Sequence, residues 1–83
     1  MWHTGTIDGY WYEAKVYDVG SKHGINGGRV SKLCVCQGAE FNSKNVVYNY
    51  DRVLDVDYAP AGLVNKILAQ CESLPVSVAL SEG

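Results

Sequence analysis

The chain has 83 residues, with seven basic and nine acidic side chains and a net charge of −2. That length builds one small core, and a pI near 5.5 argues against a general nucleic-acid binder, which carries a basic surplus. No stretch approaches the roughly 20 apolar residues of a membrane span, and the opening Met1-Trp2-His3-Thr4 lacks the basic-then-apolar order of a signal peptide. Three cysteines, an odd number, indicate free thiols in a reducing cytoplasm.

The opening WHTGTIDGYWYEAKVY predicts a β-hairpin. Asp8-Gly9 is a strong two-residue turn, because both positions can take positive φ. Counting outward pairs Ile7 with Tyr10, Thr6 with Trp11, Thr4 with Glu13 and Trp2 with Lys15. His3, Gly5, Ile7, Tyr10, Tyr12, Ala14 and Val16 then share a core face. Trp2, Thr4, Thr6, Trp11, Glu13, Lys15 and Tyr17 share the other. Asp18 to Gly28 has loop composition. Residues 29–36 read as a third strand with Leu33 and Val35 inward and Val30, Lys32, Cys34 and Cys36 outward. After a polar connection, 46–52 read as a fourth, with Val46, Tyr48 and Tyr50 on one side.

The apolar period then changes from two to 3.6. Leu63, Val64, Ile67, Leu68, Cys71 and Leu74 fall within an arc of about 140° at 100° per residue. A helix over 58–74 follows, with Asp57 as its N-cap, Pro60 in its first turn and Pro75 as its stop. The tail, 75–83, alternates apolar and polar residues, as a short fifth strand would. The expected architecture is one α+β domain over 1–83: a hairpin over 2–19, strands over 29–36 and 46–52, and one C-terminal helix. The antiparallel sheet would have four strands, or five with the tail.

The segment HGINGGRV is the candidate for phosphate chemistry. It matches neither the P-loop nor the dinucleotide fingerprint, and a strand follows it rather than a helix. Its backbone amides can still form an anion nest, which makes Gly24, Asn26, Gly27, Gly28, Arg29 and Lys22 the candidate anion or phosphate set beside the plainer reading of a turn. Cys34-x-Cys36 places two thiols on one strand face, but only Cys71, His3 and His23 could complete a zinc site. No spacing resembles a catalytic triad. Neither a catalytic residue nor a metal nor another cofactor is expected, and the chain reads as a non-enzyme. Six tyrosines and two tryptophans weigh more, since Trp, Tyr and Arg dominate interface energetics. Lys15 opposite Trp2 sets up a cation–π pair.

The motifs WYEAKVY (Trp11 to Tyr17), GINGGR (Gly24 to Arg29) and YNYDR (Tyr48 to Arg52) resemble a family of short, uncharacterised proteins from phages and prophages of Gram-positive bacteria. The resemblance covers most of residues 5 to 52. It implies an accessory protein that works by binding, in the manner of an anti-CRISPR inhibitor of a host defence complex in the host cytoplasm. Trp2, Trp11, Tyr17 and Arg29 are the expected partner contacts. Two alternatives stand beside this reading. One is a single-stranded nucleic-acid module using Lys15, Lys32, Arg29 and Arg52, with Trp11 stacked on a base. The other is a sponge that sequesters a signalling nucleotide in the glycine loop. A helix of this length covers one sheet face only, so a homodimer with Trp11 near its interface is expected.

Overall fold

The computed structural model describes residues 1–75. Five strands follow one another: β1 (Trp2–Ile7), β2 (Tyr10–Val16), β3 (Val30–Gln37), β4 (Val46–Asp51) and β5 (Leu54–Asp57). One helix, α1 (Leu63–Glu72), follows them. The strands form a single antiparallel sheet whose spatial order is their chain order. This is an α+β fold. The first hairpin has the expected register, from Trp2 opposite Lys15 to Ile7 opposite Tyr10. Asp8 (φ 54°) and Gly9 (φ 82°) form its turn, as the geometry of a two-residue hairpin requires.

Helix α1 packs across β2 and β3. Tyr12, Ala14, Val16, Val30, Leu33, Val35 and Tyr48 meet Leu63, Ile67, Leu68 and Cys71 in one core, with Val64 and Leu74 at its margin. The helical stripe and the inner face of the hairpin are therefore the surfaces that meet. The Tyr12 ring lies over Gly5, where a Cβ would touch it, and its hydroxyl shares a hydrogen bond of 3.1 Å with His3 Nε2.

Two bulges correct the expected strand faces. The register of β3 on β2 shifts between Lys15 and Val16, so that Lys32 faces Lys15 while Val30 faces Val16. Ser31 is the extra residue. Val30 thereby turns inward and is fully buried, contrary to strict alternation. A second shift lies between Val35 and Cys36, and Val47 packs on the core instead of Val46. Cys36 is also buried but lies outside the main core. It stands opposite Trp11 on one side and Val46 on the other.

The fifth strand of the described sheet is Leu54–Asp57, a segment for which no strand was expected. The suggestion of a strand beyond Pro75 concerns residues 76–83, which lie outside the described residues. The β4–β5 turn places Arg52 at φ 64°, a conformation for which the usual signal is Gly or Asn. Asp57 therefore ends β5 and caps no helix. The helix begins later than expected because Gly62 is left-handed (φ 83°) and acts as its N-cap, with Pro60 in the turn before it.

Candidate functional site

The face of the sheet opposite α1 carries three cross-strand rows. Thr6, Trp11, Cys36 and Val46 form the first; Thr4, Glu13, Cys34 and Asn49 the second; Trp2, Lys15, Lys32 and Asp51 the third. In the first row Phe41, from the loop after β3, stands edge-on to Trp11, with ring centroids 5.7 Å apart. Trp11 is half-buried and stands opposite the buried Cys36, while Phe41 is exposed. In the third row the Lys15 ammonium lies 5.7 Å from the Trp2 ring and 5.6 Å from the Tyr17 ring. Trp2 is 55% exposed and Tyr17 40%. The cation–π pair expected from the register is therefore present, with a second ring added.

Lys15 and Lys32 face each other directly, and like charges in that position repel. The aromatic rings around Lys15 and the Asp51 carboxylate, 3.7 Å from Lys32, offset the repulsion. The Tyr17 hydroxyl is held below its ordinary pKa, first by Lys15, then by Ser31 and Arg52. Cys34 is pushed up to about 11 by burial, with Cys36 and Glu13 adding to it. A thiol of that kind is neutral at physiological pH and a poor nucleophile.

The glycine segment lies elsewhere. The amides of Gly24, Gly27 and Gly28 donate to the carbonyls of Ser21, Gly24 and Ile25, at 3.0 Å in each case. The Arg29 amide donates to the Glu72 carboxylate at 2.7 Å. The carboxylate of the chain's own helix thus occupies the place where an external anion was expected. Asn26, at φ 56°, and Lys22 are exposed on the outside of this loop. Arg29 reaches back in return. Its Nε donates to the Tyr17 carbonyl (2.7 Å), and its guanidinium donates to the carbonyls of Glu72 (3.0 Å), Leu74 (2.7 Å) and Pro75 (3.4 Å). These carbonyls lie at and just beyond the end of α1, where a cation also favours the helix dipole.

Of the four expected partner contacts, Trp2 and Tyr17 are brought together around Lys15. Trp11 sits two rows away. Arg29 forms a clasp between the β2–β3 connection and the end of α1. That clasp joins residues more than forty positions apart, and no local pattern could have shown it. Replacing Arg29 by Ala should lower stability by about 2 kcal/mol, the order expected for charge-assisted hydrogen bonds at a partly exposed site. For a domain of this size that is a fall in Tm of roughly 8–16 °C, readable by circular dichroism.

Burial also raises the pKa of Tyr12 and Tyr48, and burial and Glu72 together push Cys71 up to about 11. A raised folded pKa means that the protonated form is favoured in the fold. The associated stability is fully present below the unfolded values and is lost as pH rises through the folded ones. Stability should therefore hold to about pH 9 and decline toward pH 11. Cys71→Ala should flatten that decline in urea titrations across this range. Among the described residues no three His, Cys, Asp or Glu side chains converge as metal ligands, and no helix is long and apolar enough to cross a membrane.

These features define a small α+β protein whose five-stranded meander carries one helix and, among the described residues, leaves an aromatic face uncovered. The chain belongs to the family described as Domain of unknown function (DUF7678), which it matches over residues 1–72. The match extends past the stretch that carried the resemblance and takes in α1. No curated protein and no solved structure matches the chain.

Proposed function

We propose that this protein is a non-catalytic binding module that docks the open face of its sheet on a protein partner. Its setting is the host cytoplasm, as an accessory protein of a phage or prophage of a Gram-positive bacterium, and its target is a defence complex of that host. The observation that supports this reading most is the exposed aromatic pair Trp2 and Tyr17 around Lys15. Trp and Tyr are among the residue types enriched in interface hot spots. Cells carrying candidate defence systems, challenged with phage while expressing the chain, provide the test. One system should lose protection, and Trp2→Ala should restore it while the protein remains folded. Protection by every system in the presence of the chain would refute the proposal.

The same face supports self-association into a two-fold dimer, since none of the described residues covers it. Light scattering over a range of concentrations should give twice the chain mass. Trp11→Ala should shift the equilibrium toward the monomer without unfolding it. A second reading, binding of single-stranded nucleic acid, is favoured by one feature: the adjacent Lys15 and Lys32 beside stacking rings. Glu13 and Asp51 on the same face make it secondary. Binding to a labelled oligonucleotide would then fall steeply with salt.

A further inference from the structure

At the end of the sheet beside the β2–β3 bulge lies a recess of about 490 Å³, lined by Tyr17, Asp18, Val19, Ser21, His23, Ser31 and Arg52. Its volume falls within the range of ligand clefts, about 300–1,000 Å³. Ser31 lines it and is only 3% exposed, yet its hydroxyl has no hydrogen-bond partner among the described residues. It is the only buried side-chain polar atom there in that condition. A buried hydroxyl without a partner costs about 1–3 kcal/mol, and such a group in a native fold calls for an explanation. The Ser31 and Tyr17 hydroxyls are close enough to influence each other, but without the geometry of a hydrogen bond.

The charges around the recess favour an anion. Arg52 lines it, and the Lys15 ammonium stands 5.6 Å from the Tyr17 ring. Apart from Asp18, which already has an interaction of its own, the polar groups named here donate or can donate. The Arg52 guanidinium has no hydrogen-bond or ion-pair partner among the described residues. Its backbone is tied in place, because the Arg52 amide donates to the Ser31 carbonyl at 3.1 Å. The Tyr50 hydroxyl likewise holds the His23 carbonyl at 3.0 Å. Val19 and the Tyr17 ring supply apolar wall. Arg52 occupies a left-handed backbone position, which is uncommon for a residue other than Gly, Asn or Asp.

We propose that this recess is a binding site for a small organic anion, with its oxyanion head on Ser31, Tyr17 and Arg52 and its apolar body against Val19. Phosphate esters and carboxylates share this chemistry. The recess shares Tyr17 with the docking face but not Trp2 or Trp11, and its test reads small-molecule binding, so its failure is distinguishable from failure of the partner-docking reading.

The test is an NMR titration of the full chain with phenyl phosphate and, separately, with benzoate. Inorganic phosphate supplies the head alone and benzyl alcohol the body alone. At least one aromatic anion should bind saturably with a Kd on the order of 1 mM or tighter, shifting Tyr17, Ser31 and Arg52. Whichever anion binds more tightly identifies the preferred head. Head or body alone should bind more weakly. Arg52→Asn, which suits the left-handed backbone, should weaken binding about tenfold or more, and Ser31→Ala by several-fold. Both variants should keep the dispersed spectrum of the fold. Lys66→Gln, on the outer side of α1, is the control and should change nothing. Absence of saturable shifts at Ser31 with both anions would overturn the proposal. So would equal binding of inorganic phosphate, or undiminished binding by a folded Arg52→Asn.

Discussion

Gly24→Ala should leave the chain largely unfolded or lower its stability by at least about 3 kcal/mol, in the range of the most damaging single substitutions. A Cβ at Gly24 would collide with the carbonyl oxygen of Gly28, and the next nearest atoms are also Gly28 backbone. No side chain can move aside. Only opening the turn would relieve the contact, which would break the bonds that run from Ser21 through Gly28 and swing Arg29 off the end of α1. Gly27→Ala is the informative comparison, because a Cβ there meets no atom within 4 Å. Its cost is confined to the positive φ of 73°, about 1–2 kcal/mol. Urea denaturation followed by fluorescence would rank the two. Equal costs would mean that the loop is held by its dihedral angles and not by close approach.

Ile67→Ala should cost about 3–4 kcal/mol, within the range measured for large-to-small changes in cores. Ile67 is fully buried on the only α-helix among the described residues, at the centre of the stripe Leu63, Ile67, Leu68 and Cys71. Domains typically have only about 5–15 kcal/mol of stability in total, so the variant should melt well below the wild type. It should also bind a hydrophobic dye as α1 loosens. Lys66→Ala is a useful contrast. Its ion pair with Asp8 is short, at 2.6 Å, but both side chains are more than half exposed, and such pairs contribute roughly 0–1 kcal/mol.

The parts of this fold that could be read in advance have local causes. Asp8-Gly9 specifies its turn through two adjacent residues, and the hairpin register then follows by counting. That register placed Lys15 beside Trp2 and separated the faces of β1 and β2 correctly. The stripe from Leu63 to Leu74 likewise follows from spacing alone. The rest depends on distant partners. Ser31 in β3 and Val47 in β4 are the extra residues of pairings with other strands, and neither residue type signals a bulge. Arg52 takes a left-handed turn position that usually calls for Gly or Asn, so the local sequence does not mark β5 and Asp57 reads as a helix cap. The clasp of Arg29 on Glu72, Leu74 and Pro75 converts an expected anion loop into a brace, and that contact exists only once α1 has docked. The Ser31 recess was invisible for the same reason.

The plain succession of strands has a consequence for how the molecule assembles. Each strand finds its neighbour in the segment synthesised just before it, so the sheet can grow in one direction by short loop closures, which cost little entropy. The brace works over a far greater separation along the chain. It can engage only after both the glycine connection and the final turn of α1 are formed. Arg29 is therefore expected to close last in assembly and to release first in the native state. Amide exchange should detect this order: the last turn of α1 should open at a lower free energy than the paired centre of β2 and β3. A partner that grips the open sheet face would meet a surface already complete before that latch closes.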